Sequence, residues 1–249
     1  MNNIVKKEFK GAELRHIEPY RLLKEGLNDH LDNFFLVLAV IYNDLKGIIL
    51  FEKLITDGYR LPPIDEVSVH AGEYGGIFTQ TRKILSGNIR EFLGFLKENK
   101  SELSTTEFKS LLFKTSKDTQ ARWKDIIDVA FDKTTKDSEF TNYLIQIRNN
   151  VSFHYHQSDK ALKNAFCNYF NIKEKIPRNE MAYYMIGENM EDTRFFYADA
   201  AVGEYLRSTT NDKQEGFDVK YKKEMDKMIF DMNFAIFKLL KVYLKNRPK

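Results

Sequence analysis

The chain has 249 residues, of which 43% are hydrophobic and 14% aromatic, and its formal net charge is +3. This is enough apolar material for a substantial buried core, and so small a positive charge does not by itself indicate a nucleic-acid-binding protein. The single cysteine, Cys167, excludes an internal disulfide and a cysteine-rich metal site, and it favours a reducing compartment.

The first long element is predicted to be a helix from Leu31 to Ile55, because this segment has no proline and is apolar on nearly every face. Such a helix belongs inside a bundle or at an interface. Its unbroken apolar run, FFLVLAVIY, has nine residues, whereas a helix that spans a bilayer needs about 20. The first ten residues lack the apolar stretch of a secretory signal. We therefore expect a cytoplasmic protein without a membrane segment.

The rest of the chain continues mainly as helices. A short helix is predicted from Ser104, as N-cap, to Leu112. After Pro177, the segments MAYYMIG and RFFYADAAV predict a small β-hairpin. Periodic apolar positions predict longer helices over Tyr74–Asn99, Thr119–Lys133, Asp137–His154, Ser158–Phe170 and Val219–Lys245. We expect a mainly α fold, with 1–249 as a single domain.

The stretch IRNNVSFHYH, residues 147–156, combines groups that suit phosphodiester chemistry. Arg148 is a permanent cation whose planar fork fits a phosphate. His154 carries the side chain that exchanges protons most readily near neutral pH, and Asn149 offers both a donor and an acceptor. Together these side chains could act on RNA without a metal, with Arg148 neutralising charge that develops on the phosphate.

The spacing of Arg148 and His154 sets a geometric condition. The two residues are six positions apart, which on an ideal helix is about 9 Å of rise and about 120° of rotation. To serve one phosphate they require a distorted helix end, or a second chain that supplies matching groups across a symmetric interface.

Arg148-Asn149, followed by His154-Tyr155, resembles the R-x(4–6)-H motif of the HEPN superfamily (higher eukaryotes and prokaryotes nucleotide-binding). The resemblance implies a bundle of four or five helices, and many members are metal-independent endoribonucleases that act as toxins or in phage defence. Their active site forms where two protomers meet, with the arginine and histidine of the motif facing RNA. On this chain the family core would cover about 31–170, and the hairpin and C-terminal helix, about 178–249, would be an extension.

The resemblance also implies a polar residue on an earlier helix that faces the site. The candidate is Asp44, beside Asn43, because it falls on an apolar stripe where an unpaired carboxylate is costly and Arg148 would offset that cost. Glu52 is a weaker alternative. Tyr155 and Asn150 are candidates for contacting the substrate, Tyr155 by reaching a phosphate or stacking on a base.

Several alternatives stay open. Arg148 and His154 could be a helix-end arginine and a capping histidine without catalytic roles. A metal site built on His154 and His156 would lack further ligands in any recognisable spacing, so we expect no metal and no cofactor. The chain could also be a non-catalytic helical module, such as a nucleotide sensor or the partner of a toxin. The expected partners are RNA, a second copy of the chain, and an antitoxin or regulatory protein.

Overall fold

The computed structural model describes residues 17–22, 30–58, 69–152, 159–172, 181–190, 193–209 and 219–247. This part of the chain is mainly α-helical, as the sequence predicts, and contains no β-strand. Its helices are α1 (Pro19–Leu22), α2 (His30–Gly58), α3 (Val69–Glu98), α4 (Lys100–Ser104), α5 (Thr106–Phe113), α6 (Lys117–Ala130), α7 (Thr135–Ile147), α8 (Asp159–Tyr169), α9 (Phe196–Thr209) and α10 (Val219–Lys245). A π-helical turn, Arg148–Ser152, continues directly from α7.

The long helices form a bundle around a shared apolar core. Helix α3 packs against α2, α6 and α7, while α10 packs against α2 and α6. Helices α8 and α9 pair with each other and lie against α3 and the π-helical turn. Burial of large apolar side chains is the main force that holds such an arrangement together. The largest fully buried side chains are Phe34, Phe35, Leu38, Leu45, Leu85, Ile89, Phe92, Leu93, Leu96, Phe108, Ile126 and Leu144.

Helix α10 belongs to the same core as the helices before it. The rings of Phe35 on α2 and Tyr243 on α10 stack with centroids 4.2 Å apart. Met232, Ile236 and Leu239 of α10 are fully buried. The boundary expected near residue 178 therefore does not separate α10 from the packing of α2 to α7.

Only one face of α2 is buried. Phe34, Phe35 and Leu38 point into the core, whereas Val40 and Phe51 are more than half exposed. An 18-residue window of α2 has a mean hydropathy of 1.9, with 22% of the window buried, so by length and composition this helix could cross a membrane. The apolar character of α2 thus extends well beyond the nine-residue run on which the sequence-based expectation rested.

A buried polar network joins α2 to the end of α10. The Tyr243 hydroxyl donates to an Asp32 carboxylate oxygen at 2.7 Å, and Arg247 forms an ion pair with the same carboxylate. Arg247 also donates to the Tyr243 hydroxyl at 2.7 Å. Because the Asp32 side chain is only 1% exposed, its charge depends on these partners.

The predicted β-hairpin is wrong, because neither of its segments forms a strand in the described residues. Met185 and Arg194 form one antiparallel bridge, but α9 begins at Phe196 and takes up most of RFFYADAAV. Three alanines in that segment favour a helix. Arg194 then pairs with Glu73 on α3 and Asp199 on α9. A Cβ atom at Gly76 would collide with the Arg194 guanidinium where it now lies, so a larger residue there would displace this flexible side chain.

The predicted cap of the short helix is displaced by one residue. Thr105, not Ser104, has the extended backbone of an N-cap, and its hydroxyl accepts from the Phe108 backbone N–H at 3.2 Å. Ser104 instead ends α4 and donates to the Lys100 carbonyl. Both residue types cap helices well, so the tight junction between α4 and α5 decides which one does so.

Candidate functional site

Arg148 opens a π-helical turn at the end of α7. The turn covers Arg148–Ser152, and its Val151 and Ser152 are buried against the bundle. π-helical turns are rare, because their hydrogen bonds skip one residue more than in an α-helix, and they occur frequently at functional sites. A distorted helix end, one of the two arrangements that the spacing of Arg148 and His154 allows, is therefore present where Arg148 lies.

The Arg148 guanidinium pairs with a carboxylate on a different helix. Its Nε lies 3.1 Å from Oε1 of Glu91 on α3. The side chains are 38% and 67% exposed, so water reaches both charges. Exposed pairs of this kind contribute about 0–1 kcal/mol to folding. Arg148 is thus oriented by Glu91 without being locked into the protein interior.

Glu91 lines an open groove between α2 and α3, with a volume of about 730 Å³. Apolar side chains, among them Ile41, Ile48 and Phe92, form its walls. Its polar residues are Asn43 and Asp44 from α2 and Asn88 and Glu91 from α3. The structure thus places Asp44 and the partner of Arg148 on one concave surface.

The side-chain oxygen of Asn88 in this groove has an unusual position. Oδ1 of Asn88 is buried and has no hydrogen-bond partner among the described residues. An unpaired buried acceptor is costly, so native structures tend to satisfy it with water or a ligand. Asn88 therefore adds an unmatched acceptor to the groove that Asp44 and Glu91 also line.

The environment expected for Asp44 is wrong. Its side chain is exposed on α2, not buried on an apolar stripe, so it bears no large desolvation cost that Arg148 must offset. The ion pair that the structure gives Arg148 is with Glu91. The buried stripe of α2 instead follows Phe34, Leu38 and Leu45. The weaker alternative, Glu52, is half-buried and is not among the groove residues.

The two asparagines after Arg148 differ in their contacts. Asn150 donates to the Tyr205 hydroxyl on α9 at 2.8 Å and to the Gln146 carbonyl at 3.1 Å, which ties the π-helical turn to α9. Burial raises the pKa of the Tyr205 hydroxyl, and the hydrogen bond from Asn150 opposes that rise. Asn149 is half-buried beside them.

His154, Tyr155 and His156 lie outside the described residues, as does the rest of 153–158. Within the part of the chain that the structure describes, no three His, Cys, Asp or Glu side chains come together as a metal site would need. Of the predicted site residues, the structure therefore positions Arg148, Asn149, Asn150 and Asp44.

Glu91 is the site residue that sequence reasoning missed. It shares one stripe of α3 with Ile84, Asn88 and Phe95, at spacings of four, three and four. A carboxylate and an amide within an otherwise apolar stripe are a usable signal of a polar groove. That stripe does not reveal the pairing with Arg148, which lies far along the chain.

Comparisons with protein-family models, with curated proteins and with solved structures find no match for this chain.

Proposed function

We propose that this protein is a metal-independent endoribonuclease of HEPN type that works as a cytoplasmic homodimer, in the role of a toxin or phage-defence effector. The observation that carries the proposal is Arg148. Its guanidinium is open to solvent on a π-helical turn, and the chemical pattern Arg148-Asn149 to His154 continues from that turn. The ion pair with Glu91 is weak enough for a phosphate to displace it.

In the proposed reaction the RNA 2′-oxygen attacks the adjacent phosphorus, and the bond from phosphorus to the 5′-oxygen breaks. Arg148 holds the phosphate and neutralises the charge that builds up on its oxygens. His154 of one copy accepts the 2′-hydroxyl proton, and His154 of the other gives a proton to the leaving oxygen. The products are a 2′,3′-cyclic phosphate and a 5′-hydroxyl end.

The remaining site residues have supporting roles in this proposal. Asn149 and Asp44 orient the reacting groups, and Tyr155 and Asn150 contact the RNA. Because Asn150 already bonds Tyr205, it also holds the π-helical turn that carries Arg148. No step requires a metal or another cofactor.

The test is cleavage of a panel of structured and unstructured RNAs by the full chain, with and without EDTA. We expect cleavage that survives EDTA and leaves 2′,3′-cyclic phosphate ends. His154→Ala should abolish it, while the matched variant His156→Ala should retain it. Intact RNA across the panel, or unchanged cleavage by His154→Ala, would refute the nuclease. Loss of activity with EDTA would favour a metal site on the two histidines.

A second candidate function is a non-catalytic binding module, for example the partner of a toxin or a nucleotide sensor. The observation that favours it is the exposed apolar face of α2, which is typical of an interaction surface. The two functions separate in cells. Expression of the nuclease should be toxic and the toxicity should disappear with Arg148→Ala, whereas a binding module should be harmless in both forms.

A further inference from the structure

The outward face of α2 is apolar at both ends and polar in the middle. Near its N-terminal end Val37 and Val40 are exposed, and near its C-terminal end Phe51 and Leu54 are exposed. Patches of water-exposed apolar side chains such as these two often mark an interaction site. The row from Val37 to Leu54 runs for about 25 Å along the helix, by the rise of an ideal α-helix.

The spacing of this row is that of a helix-pairing seam. The exposed residues alternate in steps of three and four, the repeat that keeps one face of a helix against a partner helix. We call this row the α2 seam; its members are Val37, Val40, Asp44, Gly47, Phe51 and Leu54.

The α2 seam complements itself when a second copy lies antiparallel. Reversal places Val37 opposite Leu54 of the second copy and Val40 opposite Phe51 of the second copy, so that apolar groups meet at both ends. At the centre, Asp44 faces Gly47 of the second copy. A symmetric pair in which one patch meets itself is the commonest form of oligomer.

The centre of the seam favours a second copy over a lipid bilayer as its occupant. A Cβ atom added at Gly47 would meet nothing within 4 Å, so this position leaves open space for a close approach. Antiparallel pairing brings Lys46 of the second copy near Asp44, which matches opposite charges. Parallel pairing would instead place the two Asp44 carboxylates opposite each other. Lipid would leave Asp44 without a partner in an apolar medium.

We propose that two copies of this chain form a homodimer through antiparallel contact of their α2 seams. The inference rests on the proposed function in one respect, since that function needs two copies, but its evidence is α2 alone. Asp44 belongs both to the seam and to the groove that holds Glu91. Pairing through the seam therefore sets the groove of each copy beside the two-fold axis.

The first experiment measures the mass of the full chain in solution by light scattering and sedimentation, without RNA. We expect a dimer, and we expect Val40→Lys to weaken it by about 100-fold, because one substitution removes two symmetric contacts. The matched control is Phe113→Lys, which alters an exposed apolar side chain on α5 and should leave the dimer intact. Circular dichroism checks that each variant folds.

The second experiment tests the orientation by disulfide formation in a Cys167→Ser background. Chains with Val40→Cys and chains with Phe51→Cys should cross-link when mixed and not when each is oxidised alone. Cross-linking of Val40→Cys by itself would overturn the antiparallel arrangement. A wild-type chain that stays monomeric would overturn the inference, as would a monomer that binds anionic vesicles through the same seam.

The outcomes for the dimer and for the nuclease are separable. A dimer that is sensitive to Val40→Lys but leaves RNA intact would refute the proposed function and support the α2 seam. A dimer that cleaves RNA and is unaffected by Val40→Lys would refute the α2 seam and leave the nuclease standing.

Discussion

Two arginine–carboxylate pairs occupy opposite environments in this protein. Arg247 meets Asp32 where the end of α10 reaches α2, with the carboxylate almost wholly buried and also bound by the Tyr243 hydroxyl. Arg148 meets Glu91 at the rim of a groove, where both charges remain in water. The same chemical pair thus appears once as part of the folded interior and once on an accessible surface.

The difference in environment determines what each pair can do. Separating the buried pair leaves an uncompensated charge away from water, which is strongly destabilising. Separating the exposed pair changes the folding free energy little, because water replaces the lost partner. A solvent-exposed guanidinium such as that of Arg148 can exchange its carboxylate partner for a phosphate, whereas Arg247 stays paired with the buried Asp32.

The largest effect is expected from Asp32→Ala. Removing this carboxylate takes away the ion pair of Arg247 with Asp32 and one acceptor of the Tyr243 hydroxyl, which also donates to the Leu22 carbonyl at 3.1 Å. The free energy of unfolding should therefore fall by about 3–5 kcal/mol. Urea denaturation followed by circular dichroism measures the loss. Glu91→Ala is the matched control and should cost about 1 kcal/mol or less. Equal losses for the two variants would contradict the distinction between the pairs.

Arg148→Ala should damage activity and not stability. If Arg148 stabilises charge that develops on the phosphate, kcat for RNA cleavage should fall by about 100- to 1000-fold. Initial rates on an RNA that the wild-type chain cleaves would show this. Lys124→Ala removes an equal charge from an exposed pair on α6 and should leave the rate within about twofold. A comparable loss of cleavage rate for Lys124→Ala would show that Arg148 acts only through the net charge of the protein.

Double-mutant cycles compare the two pairs directly. We expect a coupling free energy of about 2–3 kcal/mol between Asp32 and Arg247, and of about 0.5 kcal/mol between Glu91 and Arg148. Each cycle needs the free energies of unfolding of the wild type, both alanine variants and the double variant. Similar coupling free energies in the two cycles would show that solvent exposure does not determine how strongly each pair is coupled.

The smallest effect is expected from Glu91→Gln. If Arg148 binds phosphate as proposed, loss of the negative charge beside it should tighten RNA binding by about threefold at low salt. The gain should vanish at high salt, because screening removes interactions between exposed charges. RNA titrations at two salt concentrations measure it, with Glu98→Gln on the same helix as the control. Weaker binding by Glu91→Gln would mean that orienting Arg148 outweighs the repulsion.

The helices that are predicted best from the sequence are those with a long periodic pattern of apolar residues. The predicted and observed bounds of α10 are both Val219–Lys245, because its apolar spacing alone determines the face that packs. The sequence predicts a strand in the segment where α9 begins, but the alanines of that segment favour the helix that forms. The Thr105 cap shows the limit at element ends, where two suitable residues are adjacent and only the backbone path selects one.

The candidate site was predictable only in part, for a related reason. The chemical pattern at Arg148 is local and visible in sequence, and so is the difficulty of its helical spacing. The pairing with Glu91 is not local, since it depends on how α7 packs along α3. The expectation for Asp44 failed because α2 has two apolar faces, and periodicity does not state which of them points to solvent.

The stacking of Tyr243 on Phe35 also bears on when the protein completes its folding during synthesis. Helix α2 is made well before α10, which covers its inner face. Contacts between such distant segments form late, since the chain between them must already exist. The bundle, and with it the groove between α2 and α3, therefore matures only after α10 has been made. In the nuclease proposed above, that delay would protect the message while α10 is still being made.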